Sequence, residues 1–109
     1  MDQKKSSAQF LKNRDEWIRW VVNNPELDHS VSRVGVSLAM RMRGDQQYCW
    51  PSIDTIHKDT GVSRRAISNA LDILAGGVDA KTGEDRQVYI FRQSRPNVGN
   101  IYALNFPWA

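Results

Sequence analysis

The cationic side chains are spread unevenly against the acids, and their spacing is the first chemical signal. Arg33, Arg41 and Arg43 fall within residues 33–43, a segment without a carboxylate, and Arg86, Arg92 and Arg95 fall within 86–100, which also has none. Residues 1–20 instead mix five cations with three acids. The whole chain carries 15 Lys and Arg against 12 Asp and Glu, a net charge of +3 and a mild bias towards anionic partners. Solvated surface charge accounts for the total equally well, so position has to decide.

Other chemistry finds little to work with. A nucleophile and base would have to be Cys49 with His29 or His57, and Cys49 lies in an apolar run between Tyr48 and Trp50, where a buried, inert thiol is expected. One cysteine and two histidines are too few for a structural zinc site in one chain. There is no Gly-rich phosphate loop with a following lysine. The expectation is therefore no enzyme, no catalytic residues, no metal and no cofactor. No stretch approaches the roughly 18–20 apolar residues of a membrane span. The polar start, Met1 to Ser7, has no secretory apolar core. The lone cysteine, unable to form an intrachain disulfide, is compatible with a reducing cytoplasm, the expected location.

The 109 residues, 40% of them hydrophobic, suffice for one domain with a real core. Residues 1–7 read as a loose polar tail. Phe10, Trp17, Ile18, Val21 and Val22 then share a helical face, and Asn23-Asn24-Pro25 ends that helix. A second helix is expected over 30–42, with Val31, Val34, Leu38 and Met42 as one apolar stripe and Val36 and Met40 as another, which places it centrally. Tyr48-Cys49-Trp50 is long enough for one short strand. Ser52 caps a third helix that ends at Thr60, and Ser63 caps a fourth, whose Ile67, Ala70, Leu71 and Leu74 lie on one face before Gly76-Gly77. Residues 78–86 read as a polar turn. Val88 to Phe91 and Ile101 to Phe106 read as two strands joined through residues 95–100 as a hairpin. The fold class is α+β, mainly helical, divided as 1–29 (tail and N-terminal helix) and 30–109.

The most informative segment runs from Ser52 to Leu74. Two short helices are separated by Thr60-Gly61-Val62-Ser63, with a glycine for a left-handed turn, an apolar plug beneath it and a cap for the next helix. Ile56 and Ile67 would lock the pair from inside, which defines a helix-turn-helix. The run from Cys49 to Leu74, with Trp50-Pro51-Ser52 and Gly61-Val62-Ser63-Arg64-Arg65, resembles winged helix-turn-helix DNA-binding domains of phage and plasmid replication proteins and small bacterial regulators. Two features depart from the pattern. His57 stands where a small residue is usual, implying a wider helix crossing or a ring at the helix edge, and the 76–86 loop is longer than expected.

The resemblance implies that the second motif helix enters the major groove of double-stranded DNA, with Ser63, Arg64, Arg65, Ser68, Asn69 and Asp72 outward. Arginine suits guanine and asparagine suits adenine, and Ser63 suits a phosphate at the helix N-terminus. Ser52 and Thr55 are further phosphate candidates. The hairpin would be the wing, with Arg92, Arg95 and Asn97 at or near its tip, along the backbone or in the minor groove. Arg33, Arg41 and Arg43 stay divided between phosphate contact and plain surface charge. The N-terminal helix, with Phe10, Trp17 and Trp20, either makes a homodimer contact, with Trp108 on the same surface, or packs across the back of the domain. The expected function is a sequence-specific double-stranded DNA-binding protein, a transcriptional repressor by occlusion, bacterial or plasmid/phage encoded. The alternatives are the origin-binding module of a replication initiator and a protein–protein adaptor.

Overall fold

Apolar periodicity decides which sides of the helices turn inward, and most of those sides are the ones the sequence marks. The computed structural model describes residues 3–109. Four helices come first: α1 (Gln3–Val22), α2 (His29–Met40), α3 (Ile53–Thr60) and α4 (Arg64–Leu74). Four short strands follow: β1 (Gly77–Val78), β2 (Asp85–Arg86), β3 (Ile90–Arg95) and β4 (Gly99–Leu104). They form two antiparallel pairs, β1 with β2 and β3 with β4. The architecture is α+β and mainly helical, a helix-turn-helix with a β wing and an additional N-terminal helix.

Helix α2 sits between α1 on one side and α3 and α4 on the other. Its buried residues are Val31, Val34, Gly35, Leu38 and Ala39. The expected second stripe of Val36 and Met40 is corrected, since Met40 is exposed and Val36 half-buried. Small residues take that role instead. A Cβ on Gly35 would come within 3.1 Å of Trp17 Cη2, 3.5 Å of Leu74 Cδ1 and 3.6 Å of Val21 Cγ1. Glycine here lets α1 and α4 close on α2 at one level.

Helix α1 begins at Gln3, earlier than the polar tail suggests; residues 1 and 2 lie outside the described part. Trp17 and Val21 are fully buried and share one core with α2 and α4, so the elements before and after residue 30 are not separately packed. Val22, read as part of the same face, is exposed. Trp17 Nε1 donates to the Tyr89 carbonyl at 2.9 Å. That oxygen also accepts from Asn105 N at 2.9 Å, and Tyr89 N donates to the Leu74 carbonyl at 2.8 Å. Tyr89 lies opposite Asn105 in the register, but its N–H goes to Leu74 instead of across, so the strand expected from Val88 starts at Ile90.

The same packing leaves Phe10 and Trp17 unavailable for the homodimer contact expected of Phe10, Trp17 and Trp20. Phe10 is 5% and Trp17 0% exposed within the single chain, leaving almost no surface for a partner. Trp20 is half-buried, its ring 4.6 Å from Tyr89 and 5.6 Å from Trp108. Trp108 Nε1 donates to Asn13 Oδ1 at 3.2 Å, binding the C-terminal segment to α1. The helix packs across the back of the domain.

Two further elements differ from the sequence reading. Tyr48-Cys49-Trp50 forms no full strand but a single antiparallel bridge, Cys49 with Tyr102. The 76–86 segment is a second small hairpin. Asp79 Oδ1 accepts from Lys81 N at 2.8 Å and Thr82 N at 3.2 Å, which fixes its turn, and the two-residue strands are too short and exposed to leave an apolar pattern.

Trp17→Ala is expected to cost about 3–5 kcal/mol through the cavity it leaves and the lost donor. Urea unfolding measures this; a loss below about 1 kcal/mol would show that the indole is not central to the core.

Candidate nucleic-acid interface

Ser52 opens the helix-turn-helix. Its Oγ accepts from Thr55 N at 3.1 Å and lies 3.0 Å from Thr55 Oγ1, so both hydroxyls serve the start of α3. Helix α3 ends on Gly61, whose φ of 74° is left-handed and whose N–H donates to the His57 carbonyl at 2.9 Å. Thr60 Oγ1 donates back to the Ile56 carbonyl at 2.7 Å and accepts from Val62 N at 3.1 Å. Val62 is half-buried beneath the turn. Ser63 Oγ then accepts from Ala66 N at 3.2 Å and starts α4.

His57 resolves to the second of its two expected arrangements. Its Nδ1 lies 2.7 Å from the Val62 carbonyl. A carbonyl only accepts, so Nδ1 carries the proton and donates. The ring sits at the helix edge and braces the turn.

Helix α4 buries Ile67, Ala70, Leu71 and Leu74 and turns Arg64, Arg65, Ser68, Asn69 and Asp72 to solvent, as its periodicity implies. Two arginines in the first turn oppose the positive end of the helix dipole. One of them is compensated: Arg64 Nε donates to Asp54 Oδ1 at 2.5 Å, across from α3. Asp54 is a partner that the sequence pattern does not mark. Arg65 has no carboxylate partner among the described residues.

The cations of α2 are also accounted for in part. Arg33 Nη1 donates to the Thr60 carbonyl at 3.1 Å, at the negative end of α3, and Arg41 pairs with Asp59. Both therefore hold α3 against α2. Arg43 is more exposed and lies 3.4 Å from Asp45.

The wing is the β3–β4 hairpin. Its turn has Pro96 followed by Asn97 at φ 64°, the dihedral signs of a type II turn, and Val98 N donates to the Arg95 carbonyl at 3.3 Å. Arg95, paired with Gly99, and Asn97 are at the tip and exposed. Arg92 is exposed too but lies three ladder positions short of the tip. It pairs with Tyr102 midway along the ladder, and its Nη1 donates to Asp72 Oδ1 of α4 at 2.9 Å. Alternation along the strand puts it on the face towards the helices. Its role there is to tie the wing to α4.

Cys49 is buried against Tyr102, and burial pushes its thiol up to about 12, out of the nucleophilic range at neutral pH. No group of three or more potential metal ligands occurs among the described residues, and no helix there is long and apolar enough to cross a membrane.

The arrangement gathers Ser63, Arg64, Arg65, Ser68 and Asn69 along one helix, with Ser52 and Thr55 at the start of α3 and Arg95 and Asn97 at the wing tip. Residues 34–76, from the middle of α2 to the end of the α4 cap, match a family model described as a helix-turn-helix domain. No curated protein and no solved structure matches the chain.

The hydrogen bond and charge of Arg64 hold the Asp54 carboxyl below its ordinary value of 3.8. A depressed folded pKa means that this link contributes fully above 3.8 and is lost as pH falls through the lower folded value. The carboxyl carbon of Asp54, followed by NMR, should titrate below 3.8 and move back up towards it in Arg64→Ala. An unchanged midpoint would mean that the pair does not persist in solution.

Proposed function

We propose that this chain, with its helix-turn-helix domain at residues 34–76, binds double-stranded DNA sequence-specifically and represses transcription by occluding a promoter. The observation that carries the reading is the solvent-facing row of α4, where Arg65, Ser68 and Asn69 stand exposed on a helix whose opposite face is fully committed to the core. A helix-turn-helix domain suggests DNA binding, with the second helix in the major groove. Arg65 supplies a bidentate donor fork for guanine, and Asn69 the donor–acceptor pair that suits adenine. The exposed N-terminal turn of α4, with Ser63 as its cap, offers backbone amides to a phosphate. Ser52 and Thr55 approach the backbone from α3, and Arg95 and Asn97 from the wing tip. No catalytic step is assigned. Cys49, the only thiol, is buried, and the interface residues are donors and acceptors rather than a nucleophile with its base.

Selection from random duplexes, followed by sequencing, tests the reading: it should return one preferred site. Arg65→Ala should then cost about 1–3 kcal/mol on that site and relax preference at one base pair. Equal loss on every duplex would make Arg65 a phosphate contact.

If about five phosphates are neutralised, duplex affinity should fall by roughly several hundred-fold between about 50 and 200 mM salt. A flat salt profile would support the protein–protein adaptor instead. Genomic footprinting separates a promoter site from the iterated sites that an origin-binding module requires.

A further inference from the structure

Apart from Arg95 at its tip, the outer face of the wing sheet has no part in the duplex reading, yet it carries exposed aromatic rings. Cys49 N donates to the Tyr102 carbonyl at 2.9 Å and Tyr102 N to the Cys49 carbonyl at 2.8 Å, which makes residue 49 a one-residue third strand beside β4. Directly opposed residues of an antiparallel pair share a face, and Cys49 and Tyr102 both face the core. Tyr48 and Trp50 therefore project from the other side. They are 47% and 46% exposed, with ring centroids 5.7 Å apart. Ile101 and Ala103 of β4 alternate onto that same side, and the ladder sets Gln93 across from Ile101 and Phe91 across from Ala103. Phe91 is 56% exposed. Arg95, across from Gly99, closes the row at the wing tip.

A sheet covered on one face normally alternates apolar inward and polar outward. Here the outward set holds three rings, two aliphatic side chains, one amide and one guanidinium, and no carboxylate among the described residues. Isolated exposed apolar residues need no explanation, but a contiguous set marks a binding surface.

We infer that this face is a platform for single-stranded nucleic acid, with unpaired bases stacking on Trp50, Tyr48 and Phe91 and the backbone phosphates meeting Arg95. Aromatic rings beside a cation are what such a strand requires, and stacking tolerates any base because every base has a π-face. Charge selects this occupant over a second copy of the chain. Face against face, two copies would bury Arg95 where no carboxylate on the platform can meet it, whereas a polyanion supplies the missing charge. A duplex does not suit the rings, because its base faces are already stacked. The platform is thus separate from α4 and does not depend on the duplex reading.

The test uses the full chain and fluorescence anisotropy with a labelled oligodeoxythymidine of about 20 nucleotides, and the preferred duplex in parallel. The single strand should bind. Trp50→Ala should weaken it by about tenfold and Trp50→Phe by much less, with duplex affinity unchanged in both. Phe91→Ala should weaken it similarly and keeps the test decisive if Trp50→Ala disturbs the Cys49 bridge. Four results would overturn the platform: no binding of the single strand; binding lost in Arg65→Ala but unmoved in Trp50→Ala and Phe91→Ala; equal loss on single strand and duplex; or a wild-type dimer in sedimentation that Trp50→Ala converts to monomer. Loss of duplex binding alone, in a chain that still binds the single strand through its rings, would refute the duplex reading and leave the platform standing.

Discussion

The hydrogen bond from the Trp17 indole to the Tyr89 carbonyl is the interaction on which the rest depends. It joins the first helix to the residue at which the chain enters the wing. Tyr89 also bonds through its N–H to the end of α4 and through its carbonyl to Asn105 beyond β4. Its hydroxyl accepts from Asn24 Nδ2 at 2.6 Å. Buried polar groups are costly when unpaired, so each of these bonds fixes a distance that the others must respect. The glycine at position 35 is the steric complement. A residue without a Cβ lets the Trp17 ring approach closely beside Leu74; a Cβ there would press within 3.1 Å of the ring. A helix outside the minimal motif thereby becomes part of what orients it.

A second constraint acts at the surface. The arginines of this chain do not form one open cationic field. Arg33 and Arg41 fasten α3 to α2, and Arg64 and Arg92 are matched by Asp54 and Asp72. Surface pairs of this kind contribute little to stability, but they set where each guanidinium points. The net charge of +3 therefore understates how selective the arrangement is: Arg65 and Arg95, two arginines with no carboxylate partner among the described residues, stand at separate places, the first turn of α4 and the wing tip.

Local chemistry was legible in the sequence and long-range pairing was not. Ser52, Gly61 and Ser63 act on backbone groups within four residues, so their types alone place α3, the turn and α4. The buried face of α4 followed from period. Period also marks Trp17 as inward but does not say that its partner lies 72 residues away in the same chain, which is why the sequence favours a contact with a second chain. The sequence puts Arg92 at or near the tip because its apolar run stops at Phe91; the ladder runs on to Arg95 and turns the Arg92 side chain back to Asp72. The aromatic sheet face depends on a single bridge, Cys49 with Tyr102, and no pattern within Tyr48-Cys49-Trp50 names the strand it meets.

The bond between Arg92 and Asp72 has one more consequence. Hairpins that reach out from a domain are usually loose, and ordering them on association costs conformational entropy. This one is braced against α4 by an ion pair 2.9 Å long, three ladder positions short of its tip. Together with Ile90, Tyr102 and Leu104 buried at its base, the pair holds the hairpin towards the helix in the free molecule. Such a preorganised caliper would fit targets of one span and would strain on any other.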